Sequence, residues 1–226
     1  MTHDEMKHRL AEIILERSFQ YRDNPPFTLA SGKTSNYYFN CKTTTMDPEG
    51  MYLIGNILFD MLADADVSAA GGLTLGADPI ANALSLISYQ KRVPNEITSE
   101  ATQGAYQSAP IATTFFLTSF QKKKPIKSFV VRKDAKNHGT KSGIEGNIMP
   151  GERVAIIDDV ITTGGSTITA IETAREAGLK VDRVIALVDR EEGGKENIKK
   201  YIERVDAVLT RSEIMNLYKD STRGVK

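Results

Sequence analysis

A single cysteine, Cys41, occurs in the 226 residues, so an intrachain disulfide framework is excluded. Nothing around it suggests a nucleophile, and the thiol is expected to be structural. An excess of one charge is also missing: 29 Lys and Arg stand against 29 Asp and Glu. That balance gives no whole-surface attraction to nucleic acid or to a membrane. No apolar run approaches membrane-spanning length. The opening Met1-Thr2-His3-Asp4-Glu5 is polar and partly acidic, unlike a signal peptide. No dedicated protein cage for a metal is visible, and no helix-turn-helix signal. The expectation is a cytoplasmic chain with neither a nucleic-acid nor a membrane partner. Its 40% hydrophobic content is ample for one core at this length.

What is present is an alternation of helical and extended segments. Residues 3 to 20 carry Met6, Leu10, Ile13 and Ile14 at helical spacing, with Thr2 and Glu5 placed for a capping box. Asn24-Pro25-Pro26 ends that helix, and Phe27 to Asn40 reads as extended with a turn at Ser31-Gly32-Lys33. Asp47-Pro48 resembles an N-cap with proline at the first helical position. Met51, Ile54, Ile57, Leu58, Met61 and Leu62 then mark a buried helical face. Strands are expected at 67–71, 128–132, 154–157, 183–188 and 205–209. This order predicts an α/β fold, a mostly parallel central sheet flanked by helices, carried by one domain spanning 1–226. Within it, 1–45 forms an N-terminal helix and small hood, and 50–210 the α/β core. Pro79-Ile80-Ala81 recurs 31 residues later as Pro110-Ile111-Ala112, with further matches up to Pro125. Chance similarity of two amphipathic helices and a local duplication both account for it, and 91–125 reads as an insert.

The most informative run is Val154-Ala-Ile-Ile-Asp158-Asp159-Val160-Ile161-Thr162-Thr163-Gly164-Gly165-Ser166-Thr167. Four apolar residues make a buried strand that is expected to stop at two adjacent carboxylates. A hydroxyl- and glycine-rich turn follows, and Ile168, Ile171 and Ala174 restart at helical spacing. Free N–H groups at a helix start, with four hydroxyls, suit a phosphate. The two carboxylates suit ribose hydroxyls, so the run describes a site for a phosphorylated sugar. An ordinary βα turn is the plain alternative. A dinucleotide fingerprint is a poor match, because a spaced third glycine is missing.

A second cluster follows the strand ending at Val131. Arg132, Lys133, Lys136, His138 and Lys141 crowd a stretch bounded by Gly139, Gly143 and Gly146. Alone it would read as solvated surface. Between a sheet strand and the strand leading to the acidic pair, it suits a diphosphate.

The 154–167 run resembles the phosphoribosyl-diphosphate (PRPP) signature of the type I phosphoribosyltransferases. The cationic loop, the segment Phe27-Thr28-Leu29-x-Ser31-Gly32-Lys33-x-Ser35-x-Tyr37-Tyr38-Phe39-Asn40, and Asp189-Arg190-Glu191-Glu192 are similar to the orotate-using branch of that family. The resemblance implies transfer of ribose 5-phosphate from PRPP to orotate in de novo pyrimidine synthesis, with Mg²⁺ as cofactor and a homodimer with shared active sites. It implies that Asp158 and Asp159 hold the ribose hydroxyls while Val160, Ile161 and Thr162 to Thr167 line the phosphate. Arg132, Lys133, Lys136 and His138 would clamp the diphosphate, with Lys136, His138 and Asp159 in catalytic roles. Tyr38, Phe39, Thr162 and Arg190 would meet orotate. Two departures stand out: Ala30 replaces a frequent lysine, and Leu75-Gly76 takes the place of a Tyr-Lys pair. A purine or uracil salvage transferase, and a PRPP-sensing regulator that binds nucleic acid, are the competing readings.

Overall fold

The computed structural model describes residues 1–28, 34–93, 123–133 and 143–223. Helix α1 (His3–Arg17) opens with the expected capping box. Thr2 Oγ1 accepts the Glu5 N–H at 3.2 Å, and Glu5 Oε2 accepts the Thr2 N–H at 2.7 Å. Two donors that a helix start leaves over are thereby satisfied. Strands β1 (Phe19–Tyr21), β2 (Phe27–Thr28), β3 (Thr34–Ser35) and β4 (Tyr37–Phe39) form two small antiparallel pairs, β1 with β4 and β2 with β3. The turn expected at Ser31-Gly32-Lys33, and Ala30 with it, lies outside the described residues. Helix α2 (Lys42–Thr45) follows, then α3 (Pro48–Met61), where the Asp47 side chain accepts the Glu49 and Gly50 N–H groups ahead of the proline turn.

The central sheet holds β5 (Ala69–Leu73), β6 (Lys127–Val131), β7 (Ile144–Glu145), β8 (Arg153–Ile161), β9 (Lys180–Asp189) and β10 (Val205–Thr210). Its order is β10-β9-β8-β5-β6-β7, and every pairing is parallel except that of β6 with β7. Helices α4 (Asp78–Arg92), α5 (Gly165–Glu176), α6 (Gly194–Ile198) and α7 (Arg211–Arg223) complete the described elements. The predicted α/β architecture is therefore the observed one.

Both faces of the sheet are buried, and through the middle of the strands residue parity assigns each side chain to one of them. Ala70, Ala155, Ile157, Ile185 and Leu187 pack with α1 and α3 in one core. Their neighbours Ala69, Val154, Ile156, Val184 and Ala186 pack with Ala170, Ile171 and Ala174 of α5 in the other. Chain order reverses between β8 and β5, so the crevice at the carboxyl ends of these two strands is where a ligand is expected in such a sheet.

One expectation needs correction. The strand does not stop before the carboxylates; β8 runs through Asp158 and Asp159 to Ile161. Its pairing with β9 continues as far as Ile161 opposite Asp189, so hydrogen bonding to a neighbour outlasts the apolar pattern. Of the apparent repeat, the first copy lies in α4, and 94–122 falls outside the described residues. Its described flanks lie together: the Arg92 guanidinium donates to the Lys124 carbonyl, and the Ile126 N–H donates to Ser88 Oγ. In the Lys122-Lys123-Lys124 run, Lys123 Nζ donates to the carbonyls of Ala63 and Ala65, just beyond α3. That ammonium serves the fold, as cations near helix C-termini do.

Candidate active site

Adjacent residues of a strand point to opposite faces, and this makes the two acids unlike each other. Asp158 shares the parity of Val154 and Ile156 and turns toward α5. It is 6% exposed and its acceptors are occupied by Ser166 Oγ at 2.9 Å, Thr167 Oγ1 at 2.5 Å and the Asp159 N–H at 3.0 Å. Burial raises its pKa to about 6; the Thr167 and Ser166 hydroxyls lower it, and the Asp159 charge raises it. The folded state thus holds this proton at a pH where an ordinary carboxyl, near 3.8, has lost it. Its contribution to stability is full below that value and is lost as pH rises through about 6. The melting temperature of the wild type should therefore fall relative to that of Asp158→Asn between pH 4 and pH 6.5. Parallel melting curves over that range would show that Asp158 has no such shift.

Asp159 has the parity of Ala155 and Ile157 and opens on the other face, its side chain 18% exposed. The Val160 N–H donates to Oδ1 at 3.0 Å, while Lys42 Nζ stands 3.9 Å from Oδ2. The loop after β5 closes over this carboxylate: a Cβ placed on Gly76 would lie 2.4 Å from Asp159 Oδ1. Gly76 is thus a position of close approach, and no lysine fits there without moving the acid.

Beyond Ile161 the chain turns at Gly164, whose φ of 87° is a left-handed conformation that side chains rarely adopt. Ile168 N–H makes a hydrogen bond to the Gly164 carbonyl. The N–H groups of Gly165 to Thr167 precede it at the α5 start and point out of the helix, as an anion site requires. The Ser166 and Thr167 hydroxyls, expected to face a phosphate, here donate to Asp158 instead.

Arg190 follows β9, and its N–H donates to the Ile161 carbonyl at 3.0 Å, which puts it beside the acidic strand. Its side chain is buried, with the guanidinium carbon 5.1 Å from the Tyr37 ring centroid. Nη2 lies 2.8 Å from Glu192 Oε1, yet outside hydrogen-bonding angle, and Nε likewise has no hydrogen-bond partner. Tyr37 Oη donates to Glu192 at 3.2 Å and accepts from Arg211 at 2.9 Å. Parity in β4 separates the next two aromatics. Tyr38 is exposed and stacks on Phe27 at 5.6 Å, whereas the Phe39 ring is buried against Phe19. Phe39, expected at the orotate pocket, has its ring packed in the core.

Arg132 and Lys133 stand at the same edge of the sheet, two strands from β8, so roughly 10 Å away. Arg132 pairs with Glu145 at 2.9 Å. Both residues line a cavity of about 540 Å³ whose far wall is Thr169, Thr173 and Glu176 of α5. This space lies on the α5 face, away from the open side of Asp159. Lys136, His138 and Lys141 lie outside the described residues. The structure thus brings Asp158, Asp159, the 162–167 turn and Arg190 together. It adds Lys42, Tyr37 and Glu192, which the sequence left without a role, and sets Gly76 directly against Asp159. Parity in β8 was the one available signal, since it separates the faces of the two acids.

Known proteins resemble this chain over most of its length. The phosphoribosyl transferase domain family matches residues 101–212. An orotate phosphoribosyltransferase of Aquifex aeolicus is 44% identical over 194 residues, 86% of this chain and 89% of that protein. One from Nostoc sp. is 35% identical over 95% of this chain and 88% of its own length. The crystal structure of Mycobacterium tuberculosis H37Rv orotate phosphoribosyltransferase in complex with Fe(III) dicitrate superposes with a TM-score of 0.68 at 32% identity. It covers 92% of this chain and 98% of that one. Likeness over nearly the whole length leaves one conclusion: the chain belongs to the orotate phosphoribosyltransferase family.

Proposed function

We propose that this chain transfers ribose 5-phosphate from PRPP to N1 of orotate, giving orotidine 5′-phosphate and pyrophosphate on the route to UMP. The observation that carries the reading is the buried Arg190 guanidinium, with N–H groups left over, one strand from the acidic pair. A planar fork suits a carboxylate, which orotate has and uracil or hypoxanthine lacks. Displacement at the anomeric carbon passes through an oxocarbenium-like state and needs no strong nucleophile. In this reading the α5 start and Thr162 to Thr167 take the 5′-phosphate. Asp159 faces the ribose and the positive charge developing on it, while Asp158 braces the turn through Ser166 and Thr167. Lys136 and His138 meet the diphosphate, with Arg132 and Lys133 just before them in the chain, and Tyr38 and Thr162 flank the pyrimidine.

Mg²⁺ belongs to the same proposal. Among the described residues no group of three or more His, Cys, Asp or Glu could hold a metal ion, and Asp159 is the open member of the pair. One carboxylate fits an ion held mainly by water and substrate oxygens, and Asp159 would be the residue to meet it. When bound, the ion supplies positive charge to the leaving diphosphate. A cytoplasmic homodimer with shared active sites completes the reading.

The test is loss of orotate ultraviolet absorbance with PRPP and Mg²⁺, with uracil and hypoxanthine alongside. Loss with orotate alone is expected. Turnover of another base would discard the role given to Arg190, and PRPP binding without any turnover would favour a regulator. Gly76→Ala should lower kcat/KM for PRPP by about tenfold or more, because its methyl group displaces the Asp159 carboxylate. Undiminished activity in that variant would show that the loop yields without disturbing the acid.

A further inference from the structure

We propose that Lys42 is a further cation that meets the diphosphate side of PRPP, an inference that rests on the function proposed above. Lys42 Nζ lies 3.9 Å from Asp159 Oδ2. Among the described residues, no other cation forms an ion pair with either member of the acidic pair. The distance permits ion pairing but exceeds that of a hydrogen bond. No acceptor among the described residues takes a hydrogen bond from this ammonium, and the side chain is 47% exposed. Its donors therefore face solvent beside a carboxylate that faces the ribose.

The backbone beneath Lys42 is fixed on both sides. Cys41 and Thr44 are buried. Ser18 Oγ lies 2.6 Å from Thr44 Oγ1 and 2.9 Å from Thr43 Oγ1, and the Thr44 N–H donates to the Cys41 carbonyl at 3.0 Å. Such anchoring holds the lysine stem at the crevice instead of leaving it to wander over the surface. Across the crevice, the loop after β5 offers no cation of its own, since Gly76 stands too close to Asp159 for any side chain.

Position selects which end of the substrate Lys42 meets. The 5′-phosphate and the diphosphate leave the ribose from opposite ends. The α5 start, on one face of the sheet, takes the first. Lys42 sits on the other face, with Asp159 and the β5 loop, and so meets the second. A role confined to propping Asp159 would weaken catalysis without distinguishing one phosphate-bearing substrate from another.

Steady-state constants for PRPP and orotate forward, and for orotidine 5′-phosphate and pyrophosphate in reverse, test this in the full-length enzyme carrying Lys42→Met or Lys42→Arg. In Lys42→Met, KM for PRPP and for pyrophosphate should rise about tenfold or more, the loss expected for a charge-assisted hydrogen bond. KM for orotate and orotidine 5′-phosphate should stay within about twofold, and Lys42→Arg should recover most of the loss. Unchanged constants for PRPP and pyrophosphate would overturn the assignment, as would an equal rise for all four substrates. A wild-type enzyme that binds no PRPP would instead sink the underlying function.

Discussion

Asp159→Asn is expected to lower kcat by about two to three orders of magnitude, the scale of losing one preorganised electrostatic contact to a transition state. The replacement is nearly isosteric. An amide oxygen still accepts the Val160 N–H, which now reaches Oδ1 at 3.0 Å, so the turn keeps its shape. What disappears is the negative charge opposite the ribose, where positive charge develops only as the bond to diphosphate breaks. Binding of PRPP in the ground state should change far less than kcat. The melting temperature should hold within a few degrees, since this carboxylate is open and braces nothing buried. A fall in kcat of less than about threefold would remove Asp159 from the mechanism. Mixing this variant with Lys136→Ala subunits adds a second readout. Recovered activity in the mixture supports sites shared across a homodimer, and none in confirmed heterodimers argues against them.

Arg190→Met should raise KM for orotate by about a hundredfold or more, as expected when two charge-assisted hydrogen bonds to one carboxylate are lost. KM for PRPP should stay within about threefold. Stability is expected to move the other way. Arg190 is 5% exposed; Nη2 keeps only an ion pair with Glu192 at 2.8 Å, and Nε has no hydrogen-bond partner, a condition that costs the folded state about 1–3 kcal/mol. An apolar side chain of similar length removes that cost, so the variant should melt no lower than the wild type. Tyr37 still bonds Glu192 and Arg211 around the altered position. Arg190→Lys should fail to restore orotate binding, because a point charge cannot offer two parallel donors. Unaltered orotate kinetics in Arg190→Met would show that the carboxylate is read elsewhere. A collapse in melting temperature would show that the guanidinium serves the fold.

Much of the site is legible in the chain itself. Val154 to Thr167 carries its order of strand, acids, turn and helix within fourteen consecutive positions, and each step follows from local chemistry. The capping box at Thr2 and Glu5 and the Asp47-Pro48 helix start are equally local, and both are found as expected. The extent of β8 is not legible in the same way, because pairing with β9 carries Asp158 to Ile161 as strand where the apolar run has ended. The facing of Tyr37-Tyr38-Phe39 is hidden for a related reason. Three consecutive aromatics show no alternation, so only the pairing of β4 with β1 decides that Phe39 turns inward and Tyr38 outward.

By itself, then, the sequence determined the main helices and strands, their order, and the stretch whose chemistry suits a phosphorylated sugar. Those properties depend on residues near one another in the chain, through periodicity, capping and turn chemistry. Tertiary structure alone decided which acid is sealed and which is open, and that Lys42 and Gly76 stand against Asp159. It also decided that Tyr37 of the N-terminal strands packs on Arg190. Contacts of that kind join residues far apart in sequence, and only the stacking of helices and hood on a twisted sheet brings them within a few ångströms.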